Sequence, residues 1–322
     1  MSLQRRNLLR GVLAGGAAVA AAPLLNPAQA TASQAAKTAS EVDVSHATRE
    51  LGRLLGTYFR DKSAADVDAT MAHFAHHPFA YLDATLGVSL LTWEALRDVF
   101  RQVMPTWTDQ VRSYPIRIIG DAASAVVFFV NTAGAFGPSE IRAAAAVNFH
   151  RGRIVRWVDY WDGRHFGLAN LAGAQLPQDQ FPTDWRESVA GEVASPIIRR
   201  VARRLNDALA TGSPDEAVVL FAPDAVFEDE PAHLRLVGTA AISVFLRRID
   251  HGLPYIGATV RHAVGSASGG GYEWSSTGPV SRGLTTLELG PDHRITRLTA
   301  VWDGSLVAEA YLTAIQAAAI ER

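Results

Sequence analysis

The chain has 322 residues, no cysteine, and a formal charge of −2. With no cysteine it forms no disulfide, and with so little net charge it lacks the basic excess that nucleic-acid binding calls for. Arginine supplies 28 of the 30 basic residues against only Lys37 and Lys62, which reads as coding bias rather than function.

Residues 1–30 read as a twin-arginine export signal. Arg5-Arg6 precede a weakly apolar run from Gly11 to Leu25, and Ala28-Gln29-Ala30 closes it. That run is short of a bilayer-spanning length and contains Pro23, so no permanent membrane anchor is expected. Cleavage after Ala30 removes three arginines and no acid, taking the charge to −5. The chain is therefore expected to be secreted, already folded. It carries no dinucleotide, phosphate-loop or Cys–His metal signature, so neither a cofactor nor a metal is expected.

A polar leader (31–44) opens the mature chain. Leu51, Leu54, Leu55 and Tyr58 then follow helical spacing, a short strand is predicted around 79–83, and a helix over 92–103. Strands follow around 114–119, 124–131 and 141–149, and a last strand runs through Trp157. Residues 171–192, with Pro177, Pro182 and several polar residues, read as a linker. Helical spacing resumes at Ile198, Val201, Leu205 and Leu209. Helices first and antiparallel strands last is an α+β layout in which the helices close one face of a curved sheet and leave a cone-shaped cavity.

The chain then repeats itself. Arg153-Ile154-Val155-Arg156-Trp157-Val158-Asp159-Tyr160-Trp161-Asp162-Gly163 recurs as Arg294-Ile295-Thr296-Arg297-Leu298-Thr299-Ala300-Val301-Trp302-Asp303-Gly304, and Phe74-Ala75 recurs as Phe221-Ala222. A period of roughly 140 residues is domain-sized. Two tandem copies are expected, 45–170 and 193–322, packed as a pseudo-dimer.

The strand through Trp157 carries the chemistry. Alternation puts Trp157, Asp159 and Trp161 on one face and Val158, Tyr160 and Asp162 on the other. A carboxylate between two tryptophans is costly to bury and tends to hold its proton, an arrangement suited to a general base. The bland alternative is a buried acid satisfied by Tyr81 or Asn131. Copy two has Ala300 in place of Asp159 and Phe227 in place of Tyr81, while Asp229 matches Asp83. The first copy is thus the expected active one.

The element order and the Gly-Arg-Ile-x-x-Trp-x-Asp-Tyr-Trp-Asp ending resemble the NTF2-like superfamily, in particular its SnoaL-like and limonene-epoxide-hydrolase-like enzymes. In the epoxide hydrolases the last strand reads Trp-Arg-Asp-Tyr-Phe-Asp, and its first aspartate activates water. The resemblance places Asp159 there, and Tyr81-Leu82-Asp83 where those enzymes carry Tyr-x-Asn. Their Arg-x-Asp pair on a middle strand is missing, since that strand reads Val126-Val127-Phe128-Phe129-Val130-Asn131, with Asn131 where the acid would be. The implied activity is acid–base chemistry on a small, mostly apolar molecule, by epoxide opening or intramolecular cyclisation as in polyketide and polyether cyclases. An isomerase, a dehydratase or a non-catalytic binder are the alternatives. Asp159, Asp83 and Tyr81 are the expected catalytic groups, with Asn131, Trp157, Trp161, Phe166 and Trp107 lining the substrate site.

Asp162 and Asp303 precede glycine at strand ends and read as turn caps. His73, His76 and His77 have ligand-like spacing, but Pro78 follows and no nearby carboxylate completes a site, so they read as a solvated helix end. Ser266 to Gly271 reads as a hairpin tip.

Overall fold

A computed structural model describes residues 42–249 and 252–320. The segment expected to be an export signal and most of the expected polar leader lie outside the described residues. The chain folds as two α+β cones, each a curved sheet covered on one face by helices. No described helix is long and apolar enough to cross a membrane.

In the first half, β1 (Asp43–Ala47) leads into α1 (Arg49–Ser63) and α2 (Val67–Ala72), followed by β2 (Ala80–Asp83), β3 (Val88–Leu90) and α3 (Trp93–Val103). Four strands finish it, β4 (Ser113–Gly120), β5 (Ser124–Asn131), β6 (Ile141–His150) and β7 (Arg153–Trp161). The helices begin where their caps dictate. Thr48 accepts from the Leu51 amide at 3.3 Å, and Thr92 from the Ala95 amide at 3.2 Å. Leu51, Leu55, Tyr58, Phe59 and Lys62 form the buried stripe of α1. The β6–β7 hairpin turns on Arg151 and Gly152, both at positive φ (51° and 74°), a left-handed two-residue turn that glycine favours.

After α4 (Leu168–Ala174) and α5 (Glu187–Ala190), the second half repeats the plan. α6 (Pro196–Ala210), α7 (Pro214–Val218), β8 (Phe221–Asp229), β9 (Leu234–Val237) and α8 (Thr239–Ile249) precede β10 (Thr259–Ser266), β11 (Gly269–Ser275), β12 (Arg282–Leu289), β13 (Ile295–Trp302) and α9 (Glu309–Ala319). The sheets run β1-β4-β5-β6-β7-β2-β3 and β10-β11-β12-β13-β8-β9. With β1 set aside the two orders coincide. In both, the last strand pairs in parallel with the strand that follows the first helices, β7 with β2 and β13 with β8.

The sheets pack through their outer faces. Val126, Phe128, Ala144, Ala146, Val158 and Tyr160 share one buried cluster with Val264, Leu284 and Val301. This explains why β5 is buried at every position instead of alternating. Helices cover one face and the other sheet covers the second, as in sheets buried on both sides. The same contact holds a fully buried ion pair. Arg156 donates to the two oxygens of Glu273 at 2.6 and 3.1 Å, and Tyr160 Oη donates to Glu273 at 2.7 Å. At the strand ends Gly163 N donates to Asp303 Oδ1 at 3.0 Å, and a Cβ on Gly163 would meet that oxygen at 2.7 Å. The repeated Asp-Gly thus serves this junction. Asp162 and Asp303 also cap their turns, accepting from the amides of Arg164 and Ser305 at 3.0 Å each.

Three local expectations change. Residues 43–47, partly assigned to the leader, form β1, because the edge of β4 offers unpaired backbone groups. The stretch 171–192 contains Leu171, Ala174, Leu176, Phe181 and Trp185, all buried, so apolar anchors hold what composition suggests is a spacer. The histidine reading changes only in part: His73 caps the end of α2 and His76 and His77 are exposed, as at a solvated helix end, yet His73 has a carboxylate partner. α2 stops at Ala72, His73 Nε2 lies 2.8 Å from Asp61 Oδ2, and His76 stacks on Trp93 at 4.1 Å. The carboxylate partner comes from α1, twelve residues away. No group of three or more His, Asp or Glu among the described residues is placed to hold a metal.

Candidate active site

The register of β2 on β7 sets the site. Tyr81 lies beside Trp157 and Asp83 beside Asp159. Period-2 alternation turns Tyr81, Asp83, Trp157, Asp159 and Trp161 all to the helix-covered face. On β6, across from Trp161, stands Ala143, whose small side chain leaves space over the sheet.

That space is a cavity of about 80 Å³, room for several waters or a small ligand. Tyr81, Asp83, Asn131, Asp159, Trp161 and Phe166 line it together with apolar groups such as Leu96, Phe100, Phe129 and Ile141. An apolar pocket with a few convergent polar groups is the usual form of a small-molecule site.

Each carboxylate is held by specific donors. Asp159 accepts from Tyr81 Oη at 2.6 Å and from Trp157 Nε1 at 2.5 Å. Asp83 accepts from Trp161 Nε1 at 3.0 Å and from the amides of Thr85 and Leu86 at 2.9 and 2.7 Å. Burial pushes Asp83 up to about 7, with the negative charge of Asp159 adding to the rise. Burial also raises Asp159, while Tyr81, Trp157 and the more distant ammonium of Lys62 oppose it. Burial and mutual repulsion therefore make the pair hold a proton more tightly than ordinary carboxylates do. Burial and the neighbouring Asp159 charge hold the Tyr81 hydroxyl well above its ordinary value, so it remains a donor.

Most of the expected site residues meet here. Asp159, Asp83, Tyr81, Asn131, Trp161 and Phe166 share the cavity wall. Asn131 also accepts from Ser113 Oγ at 2.7 Å. Two expectations change. Trp157 is fully buried beneath the wall and reaches the site through its bond to Asp159. Trp107 stands behind Phe136, edge-on at 5.7 Å, with its indole N–H donated to the Ala135 carbonyl at 2.8 Å. Trp107 is not part of the cavity wall.

Two residues went unrecognised in the sequence. Lys62 is 1% exposed at the end of α1, and Tyr58 is buried one turn earlier. Burial lowers the Lys62 ammonium to about 8, and the attraction of Asp159 opposes that fall. The sequence did hold a signal: residues 51, 55, 58 and 62 keep one helical stripe, and a lysine there points inward.

In the second half the same places are apolar. Ala300 pairs with Asp229 as Asp159 pairs with Asp83, and Phe227 stands for Tyr81. Asp229 is kept, accepting from Trp302 Nε1 and Tyr255 Oη at 3.1 Å each and from the Ala232 amide at 3.0 Å. Tyr255, Tyr272 and Trp274, all at most 1% exposed, fill the interior of that cone.

Three solved structures illustrate what the chain is similar to. A SnoaL-like protein of unknown function from Burkholderia thailandensis is 14% identical, covering 34% of this chain and 98% of that one, with a TM-score of 0.31. A steroid delta-isomerase from Pseudomonas aeruginosa is 15% identical, covering 40% and 93%, with a TM-score of 0.31. A putative SnoaL-like polyketide cyclase from Shewanella denitrificans is 23% identical, covering 35% and 94%, with a TM-score of 0.29. Likenesses this distant say nothing of activity. A comparison with curated proteins returns no match. The model of the SnoaL-like domain family matches residues 202–305, within the second half. The stretch 202–305 is therefore a SnoaL-like domain.

Proposed function

We propose that the first half is an acid–base enzyme acting on a small, mostly apolar molecule, with Asp159 as base and Asp83 as acid. The observation that carries this reading is the side-by-side placement of two differently held carboxylates on one apolar cavity wall. Asp159 takes a proton from an attacking hydroxyl or water while Asp83 protonates the leaving oxygen, which is the requirement of epoxide opening or intramolecular cyclisation. Tyr81 orients the base. A second reading, isomerisation by moving one proton, draws support from the donors already on both oxygens of Asp159, since proton transfer needs no water between base and substrate.

One experiment separates them. The protein is incubated with a panel of apolar epoxides, hydroxy-epoxides and unsaturated ketones in ¹⁸O-labelled and in deuterated water, and products are read by mass. Hydrolysis incorporates ¹⁸O, cyclisation leaves the mass unchanged but alters retention, and isomerisation exchanges deuterium. No conversion of any compound in the panel counts against enzyme function and leaves ligand binding as the reading.

The proposal extends to address and architecture. The twin-arginine segment exports the chain, and the two halves descend from one duplicated unit that packs as a pseudo-dimer. Replacing Arg5 and Arg6 with lysine should abolish secretion. Undiminished secretion would remove the export reading.

A further inference from the structure

We propose that Lys62 is the fixed countercharge of Asp159, a positioning residue that keeps the base ionised in the apolar cavity and leaves the shared proton on Asp83. This rests on the acid–base reading for its functional meaning, but its physical content can be tested without turnover.

The surroundings of Lys62 make the first argument. A lysine is rarely buried so completely without a partner. Its ammonium sits among four aromatic rings, with centroids at 5.3 Å for Phe129 and Phe136, 5.8 Å for Tyr58 and 5.9 Å for Phe59. Ring faces attract a cation but carry no net charge, so the site stays one positive charge in excess. No carboxylate lies within the 4.0 Å of an ion pair with Lys62 among the described residues. Asp159 is the anion whose field acts on it. Phe129 and Phe136 belong to the cavity wall together with Asp159, so two of the rings around the ammonium also border the aspartate's apolar space, where charges are weakly screened.

The internal repeat makes the second argument, independently of any titration. α1 and α6 end in the same hydrogen-bond pattern. Ala64 N binds the Arg60 carbonyl and Ala65 N the Lys62 carbonyl, while Thr211 N binds the Asp207 carbonyl and Gly212 N the Leu209 carbonyl. Lys62 therefore matches Leu209, just as the buried Leu51, Leu55 and Tyr58 match Ile198, Ala202 and Leu205. The second half has exchanged Lys62, Tyr81 and Asp159 together for Leu209, Phe227 and Ala300. It has kept the counterpart of Asp83, Asp229, with its tryptophan and no lysine. The cation thus travels with the base and not with the acid.

The other groups around Asp159 do not supply the charge. β2 offers the Tyr81 hydroxyl and Asp83, α1 offers the Tyr58 hydroxyl besides Lys62, and β6 offers Ala145. His73, edge-on to Tyr58 at 5.7 Å, is already paired with Asp61.

The chain has only two lysines, so ¹³Cε-lysine labelling of the full-length protein gives two titrating signals, Lys37 and Lys62. The Lys62 signal is assigned by its loss in Lys62→Arg. Linkage requires that removing the Asp159 charge lower the Lys62 ionisation, so Asp159→Asn should shift it by about one pH unit, tenfold, or more. Asp229→Asn should leave it in place. Conversely, with ¹³Cγ-aspartate labelling, Lys62→Met should raise the Asp159 titration about tenfold or more, and Lys62→Arg should restore it. A Lys62 signal that ignores Asp159→Asn overturns the proposal, even if Lys62→Met fails to fold. Reciprocal shifts without any detectable turnover would uphold the charge pair and sink the acid–base chemistry instead.

Discussion

The two halves share a sheet order, an aspartate held by a strand-end tryptophan, and a helix with a matching apolar stripe. They differ in a small set of interior residues. The first half sets a lysine, a tyrosine and an aspartate around a cavity, while the second sets Leu209, Phe227 and Ala300 at those places and fills its interior with Tyr255, Tyr272 and Trp274. The comparison separates scaffold from chemistry. Asp83 and Asp229 both tie down the turn after their strand, so the turn needs that carboxylate whether or not there is a site. Burial pushes Asp229 up to about 6 and Asp83 up to about 7, and the like charge of Asp159 accounts for part of the further rise. An acid already required by the fold is brought closer to neutrality by adding one neighbour.

The largest expected effect is on turnover. Asp159→Asn should lower kcat by about a hundredfold or more, whereas Asp229→Asn in the other half should leave it nearly unchanged. Equal losses in both variants would mean that the halves share the chemistry. Next, Ala300→Asp should destabilise the protein by about 2–3 kcal/mol in urea denaturation, because it buries a carboxylate without the tyrosine and lysine of the first half. Adding Leu209→Lys and Phe227→Tyr should recover much of that loss. A neutral Ala300→Asp would contradict the apolar character assigned to the second interior. The reverse experiment has a smaller effect: the triple change Lys62→Leu, Tyr81→Phe and Asp159→Ala should abolish activity yet match or exceed wild-type stability by about 1–2 kcal/mol, as replacement of buried polar sets often does.

The pH dependence is the finest test. Activity should fall on the acid side as Asp159 takes up its proton and on the alkaline side as Asp83 loses its own near pH 7. Asp83→Asn should erase the alkaline limb. For stability the sign follows from Asp229, whose folded value of about 6 lies above its ordinary 3.8. The folded state binds that proton more tightly, so the contribution is full below pH 3.8 and is lost as pH rises through about 6. Asp229→Asn should flatten melting temperature against pH across that window.

Much of this was legible in the sequence because strands obey a strict period of two. Alternation alone put Trp157, Asp159 and Trp161 on one face, and the repeated Arg-Ile-x-Arg ending marked the equivalent strands. What stayed hidden depends on distance in sequence. Lys62 lies 97 residues before Asp159 and looked like one of two stray lysines. Only the packing of α1 over the sheet gives it a partner. Trp107 failed for the opposite reason, since aromatic bulk says nothing about which neighbour, here the Ala135 carbonyl, claims the ring. The partner of His73 stayed hidden because its carboxylate, Asp61, comes from another helix.

The pair of Arg156 with Glu273 has a consequence for dilution. Two separate chains meeting through such a buried contact would part at low concentration, each exposing a charge that needs the other. Here the partners belong to one polypeptide, so their encounter is intramolecular and its strength does not depend on how much protein is present. A molecule built this way can work at vanishing concentration, and its cavity can change one residue at a time without a symmetric copy changing with it.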